Sequence, residues 1–147
     1  PELVPGAAAK VVAASARLAE DWLAEQVGNR DMALSLTARP GRAVFHGHCH
    51  QKAMCGVKGT TAALKLVPGL DVITTDAGCC GMAGAFGFER EHFDLSVQIA
   101  NLQLLPALAA EPDAEVIATG TSCRHQIRDL TGRRALHPFE IMAEALG

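Results

Sequence analysis

Four cysteines stand where a polypeptide can bend around an ion. Cys79 and Cys80 are adjacent within the run Asp76-Ala77-Gly78-Cys79-Cys80-Gly81-Met82-Ala83-Gly84-Ala85-Phe86-Gly87; Cys49 precedes it in Gly47-His48-Cys49-His50, and Cys123 follows in Thr119-Gly120-Thr121-Ser122-Cys123. Neighbouring residues of a strand point to opposite faces, so Cys79 and Cys80 reach one centre only where the backbone turns sharply, which the surrounding glycines permit. Four thiolates are enough to hold a zinc ion or an iron–sulfur centre. The alternatives are small buried side chains and a vicinal disulfide between the adjacent pair. No C-x-x-C finger is present, so any shared site must be assembled by the fold.

The other titratable residues near these turns carry weaker signals. Cys55, beside Met54 and Val57, reads as a buried structural thiol. His46, His48 and His50 alternate at the end of an apolar run; in extended geometry they share a face, with Cys49 opposite. Each is a candidate ligand, and hydrogen bonding to the turn is the plainer role. His125 and His137 are further candidates, His137 because it follows a fourth short strand. No G-x-G-x-x-G or Walker pattern follows any strand, and no G-x-S-x-G elbow surrounds Ser122, which argues against nucleotide binding and hydrolysis.

Composition narrows the classes further. With 147 residues, 49% of them hydrophobic, the chain can fill the core of one ordinary domain. A formal charge of -3 with scattered Lys and Arg leaves no nucleic-acid footprint. No apolar run is long enough to span a membrane and no signal peptide opens the chain, so the expected location is cytoplasmic, with peripheral attachment to the inner face of a membrane allowed. Five cysteines, an odd number, favour metal or redox chemistry over a disulfide framework. The chain opens on Pro1, not Met, which suggests a piece of something longer.

The elements that must position the cysteines repeat one plan. Residues 7 to 27 read as a helix with Ala8, Val11, Leu18 and Trp22 as its apolar stripe, followed by a linker to residue 42. Strand Ala43–His46 then leads through Cys49 into a helical stretch ending near Pro68. Asp71–Thr74 leads through the double-cysteine loop into a helix from about Phe88 to Ala110. Glu115–Ala118 leads through Cys123 into a helix ending at Gly132, and a last strand at residues 134 to 136 meets Pro138 at a first helical position. This alternation predicts an α/β domain over residues 43–147: a parallel sheet of about four strands flanked by helices, with the cysteine turns at one sheet edge.

Three segments together, His48-Cys49-His50-Gln51-Lys52-Ala53, Gly78-Cys79-Cys80-Gly81-Met82-Ala83-Gly84 and Gly120-Thr121-Ser122-Cys123-Arg124-His125-Gln126, resemble the cysteine-rich CCG domain. That domain occurs in heterodisulfide reductase, the glycolate oxidase iron–sulfur protein, lactate-utilisation proteins and anaerobic glycerol-3-phosphate dehydrogenase. The wording of the motifs is most similar to the C-terminal part of FAD-linked oxidases fused to an iron–sulfur module, of D-lactate and D-2-hydroxyglutarate dehydrogenase type. The resemblance implies that Cys49, Cys79, Cys80 and Cys123 fall on ligand positions for an iron–sulfur cluster, a non-cubane [4Fe–4S] cluster in the best-known members. It also implies FAD elsewhere in a parent protein, a flavin-containing dehydrogenase domain or subunit as partner, and a second cysteine-rich repeat. The cluster-binding pattern has another cysteine three residues after the first in its last motif, where this chain has Gln126. Gln126, with His48 and His50, is therefore an auxiliary candidate, and the departure leaves a zinc-type site, an altered cluster or a merely structural role open.

Three functions compete on this reading: an electron-transfer domain of a flavin-linked 2-hydroxy-acid oxidoreductase, a structural or interaction module stapled by zinc, and a dithiol catalyst using Cys79 and Cys80.

Overall fold

The computed structural model of the chain describes residues 3 to 147. Four short apolar runs form one sheet: β1 (Gly41–His46), β2 (Leu70–Thr74), β3 (Glu115–Ala118) and β4 (Ala135–Leu136), all parallel, in the order β2-β1-β3-β4. The α/β architecture is therefore the one that the alternation predicts. Two helices precede the sheet, α1 (Ala7–Ser15) and α2 (Ala19–Gly28). Between β1 and β2 lie α3 (Cys49–Met54) and α4 (Lys58–Leu64); between β2 and β3 lie a 3-10 turn (Phe86–Phe88), α5 (Phe93–Leu102) and α6 (Leu104–Ala109). The chain finishes with α7 (Thr121–Thr131) before β4 and α8 (Pro138–Ala145) after it.

Strand alternation divides the core into two layers. Val44 and Val116 face one side with Leu104, Leu108 and Ile127, and this layer includes Cys80 and Cys123. Ala43, Phe45 and Ile117 face the other with Leu64, Val67, Ile141 and Met142. Each fully buried Leu or Ile contributes about 1.5–3 kcal/mol, so the buried pair of cysteines rests on a stiff floor. The strand order matters more for the site. From β1 the chain crosses outward to β2, and from β3 it crosses the opposite way to β4, so the turns leaving β1 and β3 diverge. Such a switch point opens a crevice outside the carboxyl ends of two neighbouring strands.

Three predicted elements form differently. The helix expected over residues 7 to 27 is two helices, parted by extended backbone at Ala16 and Leu18 (ψ 126° and 147°). No residue of α1 is buried, whereas α2 packs on α4 and sets Leu23 and Ala24 against the core. Alanine content alone does not keep a segment with nothing to bury in line with one that has a core to join. The expected helix from 88 to 110 breaks at Gln103 (φ −146°, ψ −41°) because Pro106 supplies no N–H for the carbonyl of Leu102; it fits only in the first turn of a new helix. The helical stretch after Cys49 stops at Met54, turns at Gly56 and restarts at Lys58.

The two remaining helix boundaries follow their signals. Gly132 ends α7, and Pro138 opens α8 behind a capping box in which the His137 ring accepts the Phe139 N–H and Glu140 accepts the His137 N–H. At the far end of the sheet Arg39 makes a two-pronged contact with Glu115 (2.6 and 2.7 Å) and a third bond to Glu144 (2.7 Å), holding the segment before β1 to β3 and α8. Among the described residues no helix is long and apolar enough to cross a membrane.

Candidate functional site

Each cysteine-bearing turn leaves a strand at the same edge. β1 ends at His46, and two residues later His48 becomes the N-cap of α3, whose first residue is Cys49. β3 ends at Ala118, and Gly120 caps α7, whose third residue is Cys123. A Cβ on Gly120 would lie 2.4 Å from Cδ2 of His48 and 2.8 Å from Sγ of Cys123, so a larger residue there would have to push these side chains aside. The two turns are also laced together. The His48 N–H donates to Thr119 Oγ1 (3.0 Å), Thr119 donates to Gln51 Oε1 (2.7 Å), and Gln51 donates to Thr60 (2.8 Å). Arg124 reaches back to the carbonyls of Ala118 and Thr119, both at 3.1 Å.

The double-cysteine loop enters from β2. Gly81 sits at φ +94° with its Cα against α5, where a Cβ would be 2.0 Å from the Ser96 carbonyl oxygen. Only glycine combines that conformation with that approach, and the resulting turn lets both cysteines face the same crevice. Their sulfurs join the other two in a string. The ionisation of Cys79 responds to Cys49 and Cys80, and that of Cys80 to Cys79 and Cys123, so the four thiols are neighbours in that order. Cys80 and Cys123 are buried, and Cys49 and Cys79 are half-buried. All five cysteines are free thiols, so no vicinal disulfide is formed.

The surroundings decide which thiol ionises. Hydrogen bonds, first from the Cys123 thiol and then from the N–H of Met82, outweigh burial at Cys80 and bring its pKa down to about 6. Cys123 is pushed up, first because it donates that hydrogen bond and then because it is buried. Burial is also the main cause of the rise at Cys79, opposed by the Gly81 N–H that donates to its sulfur at 3.3 Å. Cys80 is therefore the most inclined of the three perturbed thiols to ionise, supported by neighbouring thiols and backbone N–H groups. No three His, Cys, Asp or Glu side chains among the described residues are grouped to hold a metal ion as they stand. The sulfurs form a string and not a closed shell. In donor type the set suits a thiophilic centre: four sulfurs, two of which, at Cys79 and Cys80, have backbone N–H groups aimed at them.

The other candidates divide. Gln126, on the same face of α7 as Cys123, is buried and donates to Ser96 Oγ (3.3 Å), which in turn donates to the Phe93 carbonyl (2.7 Å). The three histidines do not share a face as extended geometry predicts, because the strand stops at His46 and a helix starts at Cys49. His46 is fully buried with Nδ1 3.3 Å from Thr75 Oγ1 and Nε2 without a partner. Burial, then the charges of Lys52 and His48, lower its pKa to about 4. His48 and His50 instead line a cleft of about 720 Å³ with Gly120, Glu20, Met54 and His137, and the His48 ring and Cys123 Sγ crowd the same point beside Gly120. His137 is occupied as a helix cap, 3.8 Å from Glu20, and burial lowers its pKa. His125 packs edge-on to Phe88. Cys55, expected to be buried, is exposed, because α3 ends at Met54 and the Gly56 turn projects this segment into solvent.

Sequence reasoning passed over Lys52 and Gln103. Lys52 donates to the carbonyls of Ala77 and Gly78, the latter at 2.8 Å, and Gln103 Oε1 accepts the Gly78 N–H at 3.0 Å. Lys52 lies three residues after Cys49, a helical spacing that places it on the same face. No spacing points to Gln103, which is brought to the loop by the break before α6.

Comparison with known proteins finds stretches similar to this chain within dehydrogenases. The chain is 32% identical over 130 residues to one subunit of the anaerobic glycerol-3-phosphate dehydrogenase of Escherichia coli (strain K12), covering 88% of this chain and 32% of that protein. It is 32% identical over 130 residues to D-2-hydroxyglutarate dehydrogenase of the same strain, covering 88% of this chain and 12% of that protein. D-2-hydroxyglutarate dehydrogenase of Pseudomonas putida is 31% identical over 130 residues, covering 86% of this chain and 12% of that protein. No family model and no solved structure matches the chain. The chain thus spans about a third of the length of the first relative and about an eighth of the other two.

Proposed function

We propose that this chain is the electron-transfer segment of a flavin-linked oxidoreductase acting on a 2-hydroxy acid of the glycolate, D-lactate or D-2-hydroxyglutarate type. Residues 43–147 form its cysteine-rich unit, with Cys49, Cys79, Cys80 and Cys123 as thiolate ligands of an iron–sulfur cluster. The observation that carries the reading is the string of four sulfurs, drawn from three distant segments to the switch point of a parallel sheet. The relatives support it from another side. Dehydrogenases named for two different substrates share this stretch, so it suits a step common to both, such as passing electrons onward, better than substrate selection. The flavin-bearing domain or subunit and a second cysteine-rich repeat would be supplied outside the chain.

When bound, an iron–sulfur cluster accepts and releases single electrons. The residues of the chain do the rest. Cys80 is already inclined to ionise near neutral pH, the N–H groups of Gly81 and Met82 spread negative charge from the sulfurs, and burial at Cys80 and Cys123 keeps water from one side. Zinc is the second reading, favoured by Gln126: a neutral amide at that position leaves four thiolates, the number that closes a structural zinc site.

Anaerobic incubation of the chain with iron(II) and sulfide, followed by metal and sulfide analysis and visible and electron paramagnetic resonance spectra, separates the readings. Iron with matching sulfide and broad visible absorption supports the cluster. Colourless protein with one zinc supports the stapled module, and metal-free protein with a titratable dithiol points to the catalyst based on Cys79 and Cys80.

A further inference from the structure

The double-cysteine loop is not held by its own backbone. Residues 76 to 81 make no backbone–backbone hydrogen bond among the described residues; the nearest ones are Thr75 N–H to Phe45 and Gly87 N–H to Met82. A segment that carries two of the four sulfurs must have its polar groups satisfied elsewhere. Two side chains from other elements reach them. Lys52, on α3, donates to the carbonyls of Ala77 and Gly78, and Gln103, at the break between α5 and α6, accepts the Gly78 N–H. Gly78 is thus gripped through both its donor and its acceptor, one residue before Cys79. The lysine also shares a helix with Cys49, so its reach sets the distance between the first cysteine and the adjacent pair.

We infer that Lys52 and Gln103 are positioning residues that clamp the loop at Gly78 and hold Cys79 and Cys80 in register with Cys49; as a statement about metal binding, this rests on the shared-site reading. The ammonium is suited to the task because it donates to two carbonyls at once, while the long apolar stem packs beside Gly47. Arginine can offer the same two bonds, and methionine can match the stem but offers none.

The test uses the whole chain with Lys52→Met, Lys52→Arg and Gln103→Leu. In the reduced, metal-free protein, amide exchange followed by mass spectrometry should rise about tenfold in the loop peptide at Gly78 and Gly81, whose N–H groups have side-chain acceptors, in Lys52→Met and in Gln103→Leu, the change expected for loss of about one such bond, with β1 unchanged. Lys52→Arg should return the loop to the parent rate. Cobalt(II), followed by its thiolate charge-transfer absorption, should bind about tenfold more weakly to Lys52→Met, with recovery in Lys52→Arg. Parent-like loop exchange in both Lys52→Met and Gln103→Leu would overturn the clamp. If Lys52→Met fails to fold by circular dichroism, Gln103→Leu, which changes an exposed side chain, decides alone through loop exchange. Parent protein that binds no cobalt would remove the shared-site reading, and the exchange data would still judge the clamp.

Discussion

Acidification should weaken this protein in large part through His46, beside smaller losses at Cys80 and His137. The ring is fully buried at the end of β1, bonded to Thr75 at the start of the cysteine loop, and its pKa is lowered from 6.5 to about 4. A depressed histidine favours the neutral form in the folded state, so the unfolded chain takes up the proton first. Its contribution to stability is therefore complete above pH 6.5, declines as the pH falls below that value, and is fully lost once the pH passes below about 4. A tenfold change in proton affinity corresponds to about 1.4 kcal/mol, so the loss on going from neutral pH is about 2 kcal/mol by about pH 5 and about 3 kcal/mol by about pH 4. Against a typical stability of about 5–15 kcal/mol this is a large fraction. Urea unfolding followed by circular dichroism across this range, on the metal-free chain and on His46→Asn, measures it. Asparagine keeps an amide near the Nδ1 position and cannot be protonated there, so the variant should begin less stable but lose less on acidification. Parallel loss in the two proteins would refute the reasoning, since the titrating group would then be another one.

Three further outcomes are expected. Gly81→Ala, forced into a positive φ with its Cβ against the Ser96 carbonyl, should cost about 2 kcal/mol or more and lower the thermal midpoint; an unshifted midpoint would show that the loop has room to move. Cys79→Ser and Cys80→Ser should each lower iron retained after reconstitution, while Cys55→Ser, at an exposed position off the string, should retain parent levels; equal loss in all three would mean the ligands are misassigned. Gln126→Cys, three residues beyond Cys123 and buried beside Ser96, should raise iron per chain, and Gln126→Ala should reduce it only mildly. Iron content in Gln126→Cys no higher than in the parent would remove the case for a lost ligand at this position.

What the sequence by itself determined is local. Strands Glu115–Ala118 and Asp71–Thr74, the stop at Gly132 and the start at Pro138 are written in short apolar runs and in residues whose own backbone preferences enforce a boundary. The repeated order of strand, cysteine turn and helix was enough to bring Cys49, Cys79, Cys80 and Cys123 to one sheet edge, because parallel strands place all such turns there. Tertiary structure decided the rest. Whether residues 7 to 27 continue as one helix depends on what each half can pack against, and only α2 meets the core. The fate of Cys55 and of the three histidines turns on where extended chain becomes helix, a change at Gly47 and His48 that the alternating pattern does not announce. The order of sulfurs along the string, the ionisation of Cys80 before Cys123, and the grip of Lys52 and Gln103 on Gly78 arise from groups distant in sequence. Such contacts depend on strand order, which no single segment encodes; the break at Gln103 follows locally from Pro106, but what Gln103 then meets is set by the packing of α5 and α6 beside the cysteine loop.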